Sequence, residues 1–328
     1  MIGIFRAIGG WLSPAGSRAR LSILIYHRVC AVPDPIFPHQ VTRETFDRQM
    51  RLLSRTFNVI PLPEAILRLQ SGTLPARAAC ITFDDGYADN VDIALPILRR
   101  HGLHATFFIA TRYLDGGWMF NDIVTESIRH FRGASLDLDT LGLGRHETAT
   151  LAQKRKAILD IIAGIKYLPS DDRDATAARI REMTGVSLGE SLMMTSAQLS
   201  KLAEAGMEIG GHTHSHPILA RLTPVQAERE IQQGKQTLEG TLGQPIRLFA
   251  YPNGKPNVDY LPAHVEQVRK AGFIGAVSTS WGGANSPQDV YQLPRFTPWV
   301  MGTHRFIPMM LMNLLRRQDS TPDQIIIN

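Results

Sequence analysis

Thr82-Phe83-Asp84-Asp85-Gly86-Tyr87 places two adjacent carboxylates directly after the apolar run Ala78-Ala79-Cys80-Ile81, which reads as a buried strand. Neighbouring carboxylates repel, and each resists losing its water. The usual compensation is a metal cation. Far downstream, Gly211-His212-Thr213-His214-Ser215-His216-Pro217 supplies imidazoles two and four residues apart. Asp, His and His can hold zinc or a similar ion and leave a coordination position for water. Each motif also has a plainer reading. Asp-Asp-Gly is often a turn or a helix N-cap, and a histidine cluster is often solvated or hydrogen-bonded. Both motifs follow predicted strands, and together they point to a metal-assisted hydrolase.

The elements that must position these residues alternate. Leu21 to Tyr26 reads as a buried strand ending at His27, and Thr42 to Ser54 as a helix with Thr42 as N-cap. Val59-Ile60 is a short strand, and Pro63 to Gln70 a helix opened by its proline. The strand at 78–83, a helix over 89–100 and the strand Ala105 to Ala110 form a parallel βαβ unit. Residues 119–194 break this rhythm, with helical patterns such as Leu151 to Ile165 and Asp172 to Met183 and few strand signals. They read as a helical insertion near the site mouth. The alternation resumes with a helix over Thr195 to Ala205, a strand at Met207 to Gly210, and a helix over Thr223 to Gly240. A strand over Arg247 to Tyr251, a helix over Val258 to Ala271 and a strand over Ile274 to Val277 complete it. Repeated βα units predict a wound α/β sheet or barrel with functional groups at the carboxyl ends of its strands. His27, Asp84, Asp85, the histidine cluster and Asn253 all fall at such ends.

The chain has 328 residues, 44% hydrophobic and 20% charged, which fits one large α/β domain with an insertion, or two domains. Its net charge is +5 and its pI about 9.4. Lys and Arg are spread out, with no basic tract interleaved with aromatics, so a nucleic-acid partner is not expected. The excess suits an anionic membrane surface or an acidic glycan as well as plain solvated surface. Cys30 and Cys80 both abut apolar strands and read as buried free thiols. The N-terminal segment 1–20 has an apolar helical face of Ile2, Ile4, Phe5, Ile8, Trp11 and Leu12, without the basic start and long apolar core of a secretory signal. A second amphipathic stretch runs from Phe306 to Arg317 within a C-terminal helix and tail, 301–328. Packing onto the domain is the plain reading of both ends, and peripheral membrane contact the other. No run reaches the length of a membrane span. The expected location is cytoplasmic or peripheral to a membrane, with export left open.

The constellation resembles the polysaccharide deacetylases, the carbohydrate esterase family 4 or NodB-homology group. Thr82-Phe83-Asp84-Asp85-Gly86 is similar to the first motif of that family, His212-Thr213-His214-Ser215-His216 to the second, and Phe249-Ala250-Tyr251-Pro252-Asn253-Gly254 to the third. The resemblance covers about residues 21–300, and the insertion poorly. It implies a distorted (β/α) barrel of the NodB-homology type. It also implies that Asp84 is the general base, that Asp85, His212 and His216 are ligands of one divalent ion, and that His214 points elsewhere. Zinc is the first choice of ion, cobalt or nickel the alternatives.

Many members carry an acid histidine near the C-terminus within Leu-x-His. Here Thr303-His304-Arg305 lacks the strand context. Ile25-Tyr26-His27-Arg28-Val29 instead resembles the permuted branch that deacetylates biofilm poly-N-acetylglucosamine, which implies His27 as the general acid. In the third motif Ala250 stands where the common form has an arginine bracing the base, and Asn253 where it has a tyrosine acting through its backbone N–H. Asn253 can still serve, and Arg295 in Leu293-Pro294-Arg295-Phe296 is the candidate substitute brace. Trp281, Trp299 and Tyr113 are candidates to stack on a sugar, with packing as the plain alternative for each.

The expected activity is metal-dependent removal of N-acetyl groups from an amino sugar in a glycan or glycoconjugate. The alternatives are a non-sugar amidohydrolase on the same scaffold and a catalytically inactive glycan-binding module.

Overall fold

A computed structural model describes residues 2–298 and 303–316. Trp299, residues 301–302 and residues 317–328, Arg317 among them, lie outside the described residues. In chain order the elements are α1 (Ile2–Leu12), β1 (Leu21–Tyr26), α2 (Arg43–Thr56), β2 (Asn58–Val59), α3 (Leu62–Gln70), β3 (Ala78–Phe83), α4 (Leu95–Arg100) and β4 (Thr106–Ile109). The insertion follows with α5 (Phe120–His130), β5 (Ser135–Asp137), β6 (Arg145–Glu147), α6 (Leu151–Ile165) and α7 (Ser170–Thr184). Then come α8 (Ser196–Glu204), β7 (Glu208–Gly211), α9 (Pro224–Leu242), β8 (Leu248–Ala250), α10 (Pro262–Lys270), β9 (Gly275–Val277) and α11 (Thr303–Leu315).

The main sheet runs β1-β3-β4-β7-β8-β9, with every pair parallel and β2 added alongside β3. Parallel strands need covered faces, and β1, β3 and β4 are buried along their whole length. The sheet curls until its ends are bridged. Leu293 pairs with Val277 of β9, and Phe296 pairs with Leu24 of β1. The stretch 293–296 thus spans the first and last strands and makes the sheet a distorted barrel.

Period-two alternation sorts the strand residues into two apolar clusters. Ala78 and Cys80 join Leu21, Ile23, Phe108, Ala250 and Val277 on one face. Ala79, Ile81 and Phe83 join Leu24, Tyr26, Phe107 and Phe249 on the other, beneath the helices. The same parity carries Thr82 and Asp84 to the face of Cys80, and His27 to the face of Ile23. On the helix side Phe83 stacks on Phe107 at 4.8 Å and on Tyr26 at 5.4 Å.

Helix starts follow their caps. Thr42, Thr195 and Thr223 each accept a hydrogen bond from the N3 backbone amide. The helix expected over 89–100 is divided. A wide turn over Asn90–Ala94 precedes α4, because Pro96 has no amide to donate into an α-helical ladder. The helix expected from Val258 begins at Pro262, since Pro256 and Tyr260 pair across a turn.

The insertion builds an apolar cluster of its own from Val124, Ile128, Ile158, Ile161, Ala177 and Ile180, joined by Ile36 from the loop after β1. It is not purely helical. β5 and β6 form an antiparallel hairpin whose three-residue strands, Ser-Leu-Asp and Arg-His-Glu, are too short and polar to show alternation in sequence. Arg129 ties the insertion to the β1 loop through Asp34 at 2.6 Å.

Phe83→Ala is expected to lower unfolding free energy by about 3–5 kcal/mol in a denaturant titration, because its ring is fully buried among three aromatics. A loss well under about 1 kcal/mol would show that this layer is not closely packed.

Candidate active site

β1 and β3 leave the sheet side by side. Tyr26 is in register with Phe83, and the Asp84 amide donates to the Tyr26 carbonyl at 3.0 Å. His27 and Asp84 are therefore neighbours at the same barrel mouth, although 57 positions separate them in sequence. Four of the seven described non-glycine residues with positive φ lie here: Asp85, Thr213, His216 and Asn253. Each such turn costs on the order of 1 kcal/mol or more and re-aims a side chain that the strand direction would send elsewhere.

Asp84 is almost completely buried and receives two parallel hydrogen bonds from Arg295, Nη1 to Oδ1 at 2.6 Å and Nη2 to Oδ2 at 2.7 Å. Arg295 is itself fully buried, and it also donates through Nε to the Ser278 carbonyl at 2.9 Å and through Nη1 to the Thr82 hydroxyl at 3.2 Å. Burial alone would push the Asp84 carboxyl up. The Arg295 charge, then His212, outweigh it and hold the group below the usual carboxylate range.

Asp85, His212 and His216 form the second half of the site. One donor atom from each, a carboxylate oxygen and two imidazole nitrogens, lie within 4.8 Å of one another. His212 Nε2 is 3.5 Å and His216 Nε2 3.4 Å from Asp85 Oδ1. His212 Nδ1 sits 2.7 Å from the Ala250 carbonyl, so it is the donor there and Nε2 offers its lone pair to the cluster. Burial pushes His216 down to about 3, keeping it neutral. Against burial, Asp84 and Asp85 raise His212, while the histidines hold the Asp85 carboxyl well below its ordinary value against burial of its own. One anionic oxygen and two orientable imidazoles, with the His212 tautomer fixed by a backbone carbonyl, suit a divalent ion.

His214 is outside that set. Its Nδ1 meets the Thr111 hydroxyl at 2.9 Å. The loop carrying it is braced by Glu230 of α9, which accepts from the amides of His214 and Ser215 at 3.0 and 2.8 Å, and by the Tyr113 hydroxyl on the Ser215 carbonyl at 2.9 Å. Tyr113 is thus buried packing, not an exposed sugar platform. Trp281 packs edge-on against Phe296 beneath the Arg316 guanidinium, also as packing. His304 lies on α11, and Trp299 lies outside the described residues.

His27 is half-buried. Burial lowers its pKa, while Asp85 and Asp84 pull it back up. Its carbonyl accepts from Asn90 Nδ2 at 2.8 Å, and Asp89 holds the next two residues through Arg28 Nε at 2.9 Å and the Val29 amide at 3.1 Å. Asn253 follows β8 in a left-handed turn, its carbonyl accepting from the Thr279 hydroxyl at 2.7 Å.

Asp89, Asn90, Glu230 and Arg173 were not visible as site residues in sequence. Arg173 comes from α7 of the insertion, stacks on Phe120 and donates to the His216 carbonyl at 3.4 Å. Only Asp89 and Asn90 carried a signal, their position one turn beyond the paired carboxylates.

The polysaccharide deacetylase family description matches residues 71–157 and 172–273, more than half of the chain. The chain belongs to that family. The polysaccharide deacetylase homologue YxkH of Bacillus subtilis is 24% identical over 279 residues, covering 84% of this chain and 71% of that protein. Two solved structures share the fold. The Streptococcus pyogenes deacetylase PplD, in complex with acetate, superposes with a TM-score of 0.57 at 19% identity over 92% of this chain and 99% of that one. IcaB from Ammonifex degensii gives 0.57 at 19% identity over 91% and 98%.

Two outcomes follow from the geometry. His212→Ala should abolish stoichiometric divalent metal by elemental analysis, whereas His214→Ala should retain it; equal loss in both would remove the distinction drawn between them. Arg295→Met should move the acid limb of the hydrolysis pH profile upward, because burial then acts on Asp84 unopposed. In the native chain the depressed Asp84 pKa adds stability at pH above its unfolded value of ~3.9, lost as pH falls through the folded one. An acid limb left in place by the substitution would show that Arg295 does not hold Asp84 ionised.

Proposed function

We propose that this member of the polysaccharide deacetylase family is a metal-dependent hydrolase that removes N-acetyl groups from an amino sugar in a glycan or glycoconjugate. The observation that carries the reading is Asp84, clamped by two hydrogen bonds from Arg295, beside a separate Asp85–His212–His216 donor set. One carboxylate is thereby kept free of the ligand set and available for proton transfer.

A divalent ion held by Asp85, His212 and His216, with zinc as first choice and cobalt or nickel as alternatives, would polarise the acetamide carbonyl and acidify water. Asp84 accepts the proton of the attacking water, and Arg295 keeps the base anionic between turnovers. The Asn253 backbone N–H, carried on its left-handed turn, donates to the oxyanion that develops on the acetyl carbonyl oxygen. An amine leaves poorly unless protonated, so an acid distinct from the base is needed. His27 takes that role from the neighbouring strand. Burial lowers its proton affinity, and the carboxylates Asp85 and Asp84 pull it partly back toward the protonated form that an acid must start from.

The test is acetate release from N-acetylated oligosaccharides, run beside metal analysis. Asp84→Asn should keep the metal and lose turnover by about 10²–10⁴-fold. His27→Ala should keep metal and fold and lose a similar factor on the amide, yet far less on an activated ester whose leaving group needs no proton. Equal losses on amide and ester would refute His27 as the acid, and an Asp84→Asn enzyme that still turns over would refute the base.

A further inference from the structure

The two terminal helices carry features that the reaction does not use. α1 buries Gly9 and packs Phe5 and Leu12 against the main core, and it leaves Ile4, Ile8 and Trp11 exposed at 64%, 43% and 82%. These three side chains recur at i, i+4 and i+7 and so form one stripe, with Gly3 and Ala7 beside them. α11 lies against α1 at Gly9, where Leu311 comes within contact distance of a Cβ placed there. It exposes Met312 at 56% and Leu315 at 60%, flanked by Arg305 and Arg316. An apolar ridge of this kind costs solubility unless something covers it.

Charge identifies the cover. Residues 2–20 and 303–316 contain Arg6, Arg18, Arg20, Arg305 and Arg316, and no Asp or Glu. Beside α1 lies a cleft of about 250 Å³ lined by Ile2, Arg6, Arg55, Asn58 and Arg77 among others, with no carboxylate in its wall. Arg6 and Arg55 are exposed. The Arg77 Nε is fixed by the Thr56 carbonyl at 3.0 Å, which holds its guanidinium in the cleft. α1 thus carries a tryptophan and branched aliphatics along one exposed flank and Arg6, with the cleft, along the other, and a helix lying in the plane of a bilayer can meet acyl chains with the first and anionic headgroups with the second. A protein partner would need carboxylates to answer the arginines at fixed positions. A phosphate-rich lipid surface answers them at any rotation of the helix pair.

We propose that the α1 and α11 surface seats the protein on an anionic phospholipid bilayer, with Ile4, Ile8 and Trp11 at the acyl boundary and a lipid phosphate in the Arg6, Arg55 and Arg77 cleft. The contact is peripheral, since no helix among the described residues is long and apolar enough to cross a membrane.

Flotation of the full chain with vesicles decides the matter. Phosphatidylcholine vesicles containing phosphatidylglycerol should carry the protein, pure phosphatidylcholine should not, and salt should weaken the binding. Ile4→Ser/Ile8→Ser/Trp11→Ser should weaken it on the order of 100-fold, and Arg6→Gln/Arg55→Gln by roughly tenfold or more. Acetate release from a soluble oligosaccharide should be unchanged in both variants. Trp11 emission should shift to the blue on vesicles, and Trp11→Phe should remove that shift. Absence of binding to anionic vesicles overturns the proposal, as does wild-type binding by the triple variant. Saturation of the cleft by inorganic phosphate without vesicle binding overturns it in favour of a free anion. Dimers that the triple variant dissolves, again without vesicle binding, overturn it in favour of a second copy.

Discussion

The pairing of Asp84 with Arg295 is the interaction on which the site depends. A lone carboxylate in the closed interior of a barrel would be pushed toward its protonated form by burial. The bidentate guanidinium prevents this, and removing either partner of such a pair costs roughly 3–5 kcal/mol because the other charge stays buried. Arg295 also lies on the stretch whose neighbours, Leu293 and Phe296, pair with β9 and β1. Its remaining donors reach Ser278 just beyond β9 and Thr82 in β3. The stretch that closes the barrel therefore also carries the guanidinium that braces Asp84.

Around that pair the structure spends conformational strain where direction matters. A strand sends alternate residues to opposite faces, so two consecutive carboxylates cannot both serve the mouth unless the chain turns between them. Asp85 makes that turn at positive φ, with Gly86 continuing it. His216 and Asn253 do the same after β7 and β8. The histidine loop is held by Glu230, Tyr113 and Arg173, which come from α9, the segment after β4 and the insertion. The insertion thus has a structural hand in the site although it contributes no candidate ligand. Its Arg173 adds positive charge near His216 and so favours the neutral imidazole that a metal requires.

The division of the apolar residues has a functional consequence. One face of β3 gives Phe83 to an aromatic layer under the helices, and the other gives Thr82 and Asp84 to the barrel interior. A one-residue slip of β3 against β1 would exchange these sets and place Asp84 in the outer core. The aromatic stack of Tyr26, Phe83 and Phe107 opposes that slip, because shifting β3 by one residue would turn Phe83 away from both rings.

Much of this was legible in the sequence. The strand ending at Asp84, the i, i+4 histidines after a strand and the βα alternation are local patterns, set by burial period and residue chemistry. They pointed to a wound α/β sheet or barrel, to candidate ligand types and to the place of each at a strand end, and the family resemblance narrowed the fold to a distorted barrel. The resemblance of Ile25-Tyr26-His27 to a permuted motif pointed to a strand that the structure places beside β3. Other features had no local signal. The short polar hairpin β5–β6 has too few residues to show a period, and the interrupted turn before α4 depends on one missing amide donor. That Arg295 meets Asp84 across 211 positions, that Glu230 grips the histidine loop, and that Tyr113 and Trp281 pack inward were decided only by tertiary structure. A side chain's type and its strand parity are properties of the chain, whereas its partner is chosen by which distant strands the curled sheet brings together.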